Sequence, residues 1–525
     1  MNLTKLKLIY HTVKYLRFKQ VYYRLYYAIR NRFFKKNYSK KLTTKVEPLF
    51  WENKICYAPS YLDDNTFNFL NINHQFKEEI DWNYNGYGKL WTYNLNYFDF
   101  LNQKKTSGET GISLIENYIE NDTLLKDGKE PYPTSLRTIN WIKFLSKYKI
   151  VNVNINQALY NHYQILLHNL EYHILANHLL ENAFALFFGS YYFKDKILAQ
   201  KATSLLIIEL NEQILNDGAH FELSPMYHQI ILHRLLDCIS LMQQNDWDEF
   251  KTLSVLFNEK AIKMLSWLES ITFTNGDVPM VNDSTYNIAL TSEQLYSYAK
   301  QLNLQWYTIQ LSDSGYRKFV NSNFEVFMDV GQLGISYQPG HAHADTFSFV
   351  LHVNNHSVIV DPGVSTYEIN KTRKQERSTA YHNTVTINEL NSSQVWSGFR
   401  VAKRAEVNLI VDNPSKIMAL HNGYPNYKHT RSFTVENESF IIEDLISNKT
   451  NAKAHFHLHP DCELKIDDKK NIIFVDNVEF NFLGEQTFTL EEYNFAKGFN
   501  STLIAKKIVV LFSEKLITTI KVNKQ

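Results

Sequence analysis

The stretch "GHAHADTFSFVLHVNNHSVIVDPG", starting at Gly340, sets His341 and His343 one residue apart and brings Asp361 in after an apolar run. Side chains two apart on an extended chain share a face, so His341 and His343 can reach one point. Asp361 returns toward that point if "FSFVLHV" and "HSVIVD" pair through a turn at Asn354 and Asn355. A third imidazole, His382, follows in "STAYHNTVTI". Two or three neutral imidazoles with one carboxylate are the donor set that Zn²⁺ prefers. The spacing lacks the i, i+4 order of a helical zinc motif, so each histidine can also be read as a hydrogen-bonded structural group.

A second group lies earlier. "HILANHLLENA" sets Asn177 and His178 beside Glu181 and Asn182, and "DGAHFELSPMYHQI" supplies His220, Glu222, Tyr227 and His228, with Pro225 expected in the first turn of a helix. Amide, imidazole, carboxylate and phenol together are the tools of proton transfer next to an anion. Tyr227 either packs in a core or presents its hydroxyl to a cleft. "LWTYNLNYFDFL" and "PYPTSLRTINWIKFL" add Trp91, Asn94, Tyr97, Arg137, Asn140 and Trp141. Trp91, Arg137 and Asn140, with Glu222, are candidate substrate-binding residues of a sugar groove; ordinary helix packing is the alternative.

The elements that must position these groups fall into two halves. From about Ile155 to Leu268 apolar residues recur at three and four, with loop-like breaks at "NDGAHFELSP" and "TNGDVPMVND". Successive helical hairpins over about 250 residues predict an α/α toroid or solenoid. After about Asn323 the period becomes two, in short runs rich in β-branched and aromatic residues, which predicts packed antiparallel sheets. Helices followed by strands imply two domains, and a groove between them is the expected site.

Composition narrows the partners. Over 525 residues, 55 Lys plus Arg nearly balance 54 Asp plus Glu, so no whole-molecule field favours nucleic acid and any attraction for an anion is local. Aromatic residues make up 14% of the chain, enough to supply platforms for sugar faces as well as a core. Cys56, Cys238 and Cys462 are odd in number and far apart, with no disulfide framework. No apolar run is long enough to cross a bilayer. The opening segment has no acidic residue before Glu47 and lacks the uncharged apolar stretch of a secretory signal. It reads either as a helical arm packed on the body or as a segment lying on an anionic membrane surface.

Taken in order, "ANHLLENA", "DGAHFELSPMYH", "GHAHAD" leading to "VDPG", and "RSTAYHNTV" resemble the heparinase II/III-like polysaccharide lyases, whose relatives include alginate and heparan-type lyases. The resemblance runs from "LWTYNLNYFDFL" to the last strands. With the basic aromatic arm that composition marks over 1–50 set aside, it implies an α/α toroid over 51–322, an antiparallel β-sandwich over 323–525, and cleavage of a uronic-acid glycan by β-elimination. Asn177 and His178 match the pair that neutralises the substrate carboxylate, Tyr227 the catalytic tyrosine and His341 a histidine facing substrate. His343, Asp361 and His382 match the ligands of one structural zinc. A substrate-binding arginine has two candidates, Arg373 and Arg377, with Arg377 preferred from the "RSTAYHNTV" wording. The implied partner is an acidic polysaccharide or oligosaccharide of bacterial surface metabolism. The implied location is the cell envelope or periplasm; without a visible cleavable signal, a cytoplasmic or membrane-peripheral location is the alternative.

The chemistry fits these residue types. The C5 proton of a uronate becomes removable once the adjacent carboxylate is neutralised, as an oxyanion hole would do. Tyr227 and His341 are the candidates for base and acid. A uronate C5 epimerase needs the same groups, and a noncatalytic glycan-binding factor in polysaccharide assembly needs none of their chemistry. A glycosidase needs paired carboxylates across the groove, and Glu181, Glu222 and Asp283 show no spacing that singles out a pair.

Overall fold

The computed structural model describes residues 3–34, 38–52, 55, 57–467 and 472–523. Cys56 lies outside them, and Cys238 and Cys462 are free thiols. The first half is a toroid of α/α hairpins. Ala176–Phe193 is its central helix, apolar nearly all round, and His178 is its one residue that is not buried. At its end Lys194 turns left-handed (φ 52°) and Asp195 caps the next helix, Lys196–Gln213, through Ile197 N and Leu198 N. Pro225 starts the helix Pro225–Gln244, where its missing N–H costs nothing, and Ser224 Oγ accepts from Tyr227 N at 3.3 Å. The cap therefore fixes where the Tyr227 ring departs from the helix.

The second half is a sandwich. One sheet is the meander Tyr316–Val320, Phe324–Asp329, Phe349–Val353, His356–Ile359. The other has ten strands among the described residues, including Val385–Ile387, Tyr427–Val435, Ser439–Ile446, Ala452–His457 and the long hairpin Val478–Gly498 with Ser501–Val522. Val326, Met328, Phe349 and Leu351 face Phe433, Phe440 and Ile442 in one apolar layer, with Phe349 and Phe440 ring centroids 5.5 Å apart. Asn354 (φ 51°) and Asn355 (φ 65°) make the tight turn between Phe349–Val353 and His356–Ile359, the left-handed pair such a turn requires.

The two halves are joined closely. The strand run opens at Tyr316, ahead of residue 323, because the Tyr316 hydroxyl donates to Leu223 O at 2.6 Å and accepts from Asn282 Nδ2 at 3.0 Å, tying the strand to toroid loops. The long hairpin reaches back as well: Asn71 Nδ2 donates to Phe499 O at 2.9 Å, and Asn500 Nδ2 to Leu70 O at 3.0 Å. Gly88 (φ +88°) sits so close to the sandwich that an added Cβ would meet Glu368 Oε1 at 2.3 Å.

Candidate active site

The segment holding His341 and His343 is not a strand. Its backbone instead pairs with a toroid loop: Asp283 N donates to His341 O at 3.0 Å, and His343 N to Asn282 Oδ1 at 3.0 Å. Both rings still reach one point, which is the carboxylate of Asp283. His341 Nδ1 is 2.9 Å from its Oδ2 and His343 Nε2 is 2.8 Å from its Oδ1. Arg373 grips the same carboxylate with both terminal nitrogens, at 2.5 and 2.7 Å. Burial alone would raise the pKa of Asp283, but the Arg373 guanidinium and the hydrogen bonds from His341 and His343 together outweigh it and hold the carboxyl well below its usual range. An ionised carboxylate only accepts, so both imidazoles donate to it. That leaves His341 Nε2 as the acceptor nitrogen, 3.4 Å from the Asn177 Nδ2 donor and 3.6 Å from Glu222 Oε2.

The toroid supplies the other side. Leu175 (φ 68°) and Ala176 (φ 53°) take left-handed conformations at the mouth of the central helix, a sparsely populated geometry for such residues. This turn places Asn177 against His341 of the sandwich and His178 beside it, against Glu171 and Tyr132 of the toroid. Asn177 is held at its backbone N and at Nδ2 by Glu222, at 3.2 and 2.7 Å. His178 Nδ1 lies 2.9 Å from Glu171 Oε1, and its ring rests on Tyr132 at 4.5 Å. Glu171 is itself fixed by Asn182 Nδ2 at 3.0 Å. Burial lowers the pKa of His178, but the Glu171 carboxylate more than reverses this and the net shift is upward. The side chain is 29% exposed, and with Nδ1 on Glu171 the nitrogen left for another partner is Nε2.

Tyr227 closes the group. Its ring stacks on His341 with centroids 3.9 Å apart, and its hydroxyl is 3.4 Å from the Tyr367 hydroxyl. Burial, with Asp283 and Glu222 adding to it, raises the Tyr227 pKa, against smaller opposing effects of Tyr367 and Arg373. The phenol is therefore protonated at neutral pH. Asn177, His178, Glu222, Tyr227 and His341 thus come together from two domains. Such a set can remove a proton, return one and hold a carboxylate.

Four expected substrate contacts lie elsewhere. Trp91 is fully buried against Phe69 and Phe76. Arg137 is fully buried over Tyr118 and donates to Gly128 O at 2.7 Å. Asn140 is buried and donates to Tyr97 O and Asp99 Oδ1. All three hold loops and helices of the toroid together, because the inner faces of its helices are packed. Arg377 is 1% exposed and donates to Ala342 O at 2.8 Å and Gly398 O at 3.1 Å. Arg373, not the preferred Arg377, is the arginine tied to the histidine cluster, and it too is buried, donating to Gly398 O through Nε at 3.1 Å. Composition and spacing gave no signal for Glu171, Tyr132 or Tyr367. Asp283 stood out only as a scattered carboxylate.

At the other side of His343, two buried imidazole nitrogens have no hydrogen-bond partner: His343 Nδ1 and His382 Nε2. Their rings are 5.2 Å apart, and each ring's other nitrogen rests on a carboxylate, Asp283 for His343 and Asp361 for His382 at 2.8 Å. Carboxylate-backed imidazoles with free lone pairs are what a zinc ion takes as ligands. Among the described residues no three His, Cys, Asp or Glu side chains are grouped as a metal site. Asp361 is turned to His382 Nδ1 and to Gly363 N.

An α/α toroid closed by an antiparallel sandwich, with a phenol of one stacked on an imidazole of the other, defines a two-domain class of protein. Heparinase II/III N-terminus matches residues 135–306 and Heparinase II/III-like, C-terminal matches residues 305–523, and the chain belongs to this heparinase II/III-like family. A heparin-sulfate lyase of Bacteroides stercoris is 25% identical over 394 residues, covering 67% of this chain and 56% of the relative. One from Pedobacter heparinus is 26% identical over 323 residues, covering 56% of this chain and 47% of the relative. The chain thus spans about half the length of these curated relatives. The crystal structure of a heparinase III superposes with a TM-score of 0.68 at 18% identity, covering 86% of this chain and 81% of the other. At that identity the likeness is one of fold.

Proposed function

We propose that the chain is a polysaccharide lyase that cleaves a uronic-acid-containing glycan by β-elimination, in bacterial surface-polysaccharide metabolism. The stack of Tyr227 on His341, with Asn177 Nδ2 3.4 Å from His341 Nε2, is the observation that carries it. His178, held cationic by Glu171, and the Asn177 amide meet the substrate carboxylate and stabilise negative charge as it develops. His341 Nε2 then takes the C5 proton. The electron pair of that bond forms the C4–C5 double bond as the C4–O4 bond breaks, and the Tyr227 hydroxyl gives its proton to the leaving O4. This assigns base to His341 and acid to Tyr227, because Asp283 keeps the Nε2 lone pair open while burial keeps the phenol protonated.

The orphaned nitrogens of His343 and His382 support a zinc held by these two residues, and Asp361, which is engaged with His382 Nδ1 and Gly363 N, would have to turn its carboxylate to become the third ligand. When bound, the zinc would stiffen the loop that carries His341. Heparin-sulfate lyase relatives make a sulfated uronate-containing glycosaminoglycan the first substrate to try.

The test is incubation with a panel of uronate polymers while following the ultraviolet absorbance of the unsaturated end. Absorbance with chain shortening supports the lyase. Deuterium uptake at C5 without shortening would replace it with an epimerase, and glycan binding unchanged in Tyr227→Phe and His178→Ala, with no turnover in the parent, would replace it with an assembly factor.

A further inference from the structure

We propose that the outer face of the first two helices, Leu3–Val13 and Phe18–Phe33, docks on an anionic phospholipid surface. The inner face of this arm is fastened to both domains by polar contacts. Gln20 Nε2 donates to Ile174 O at 3.2 Å and Tyr337 O at 3.4 Å, Tyr27 OH to Leu170 O at 2.7 Å, Arg30 to His168 O at 2.6 Å, and Trp396 Nε1 to Thr12 Oγ1 at 3.0 Å. With that face committed to the body, the helices turn their apolar side outward. Phe18, Tyr22, Leu25, Ile29 and Phe33, at steps of three and four, are 82, 50, 60, 54 and 68% exposed. Leu3, Leu6 and Tyr10 on the first helix are exposed as well. A soluble surface rarely leaves so many large apolar side chains side by side without a use for them.

Charge selects the occupant. Residues 3–34 carry eight Lys and Arg, of which Arg30 is buried against the body and Arg17 pairs with Glu212, leaving six cations, and the sequence has no Asp or Glu before Glu47, so the rest of a nearly neutral chain is net negative. Cations bordering aromatic and aliphatic side chains suit an anionic headgroup layer, with the rings at the depth of the headgroups. A second copy of the chain is the poorer fit, because a two-fold contact would set these cations against themselves. No helix among the described residues is long and apolar enough to cross a membrane. The arm therefore lies along the surface, and this docking stands independently of the lyase reading.

The test uses the full chain in flotation with vesicles of phosphatidylcholine alone and of phosphatidylcholine mixed with phosphatidylglycerol. Binding is expected to the anionic vesicles, to weaken with added salt, to fall about tenfold or more in Leu25→Glu/Ile29→Glu, and to fall on the order of fivefold for each of Lys5→Glu and Lys7→Glu. These side chains are outside the catalytic group, so the parent's thermal midpoint and turnover are expected in each variant. Equal recovery with neutral and anionic vesicles, no recovery with either, or a dimer in sedimentation velocity that Leu25→Glu/Ile29→Glu dissolves would each overturn the proposal.

Discussion

The ring of Tyr227 lies on that of His341, with planes 30° apart and centroids 3.9 Å apart. A phenol carried by the toroid and an imidazole carried by the sandwich thereby meet in one place. The stack needs only the rings, whereas the proposed proton transfer to O4 needs the hydroxyl. The two are separable by removing one atom.

Tyr227→Phe keeps the stack and loses only a 3.4 Å contact to Tyr367. The expected result is a fall in kcat of about 10²–10⁴-fold, the usual worth of a positioned acid, with an almost unchanged thermal midpoint and KM. Turnover within an order of magnitude of the parent would remove Tyr227 from the chemistry.

Asp283 is buried, and Arg373 is its bidentate partner. Asp283→Asn leaves a guanidinium charge without its counter-ion in the interior and is expected to cost about 3–5 kcal/mol of stability by urea denaturation. Adding Arg373→Met removes the stranded charge, so the double variant should be more stable than Asp283→Asn alone. Simply additive losses would show that the pair is not coupled.

The division into helices then strands was legible, because periods of 3.6 and 2 are properties of the local sequence. So was the Asn354–Asn355 turn. The convergence of His341 and His343 on one point was legible too, although the point is a carboxylate from another domain, Asp283, in a loop with no periodic signal. Trp91, Arg137 and Asn140 misled for a related reason: a polar or aromatic residue on the inner face of a toroid helix looks the same in sequence whether it lines a groove or ties down a loop carbonyl. Choosing Arg373 over Arg377 also required geometry, since the two lie four apart on one turn of chain and only one reaches Asp283. Family motifs singled out Asn177, His178 and Tyr227 as candidates, but gave no sign that Glu222 holds Asn177 or that Glu171 holds His178.

Metal loading tests the second face of His343. Purified protein is expected to carry zinc near one per chain, and chelation is expected to lower the thermal midpoint, since an ion bound only by the folded state adds about 3 kcal/mol at a hundredfold excess over its Kd. His382→Gln should lose the metal and the chelator response together. An apo protein whose midpoint does not move on adding zinc would leave the lone pairs of His343 Nδ1 and His382 Nε2 as features of packing alone.

The Glu171–His178 pair makes a pH prediction with a definite sign. Glu171 raises the pKa of His178 above its ordinary value, so the imidazolium persists to higher pH than a free histidine and is lost as pH climbs through the folded value. Its contribution to stability is complete below the unfolded pKa of about 6.5 and disappears over that same rise. If the cation neutralises the substrate carboxylate, kcat/KM falls along the same alkaline limb. Glu171→Gln keeps one acceptor oxygen, for His178, and loses the charge together with the acceptor for Asn182, so the limb should move to lower pH. His178→Ala should remove that limb and lower kcat/KM by about 10²-fold, in line with the loss of one donor to developing charge. A profile whose alkaline limb stays in place in Glu171→Gln would show that another group sets it.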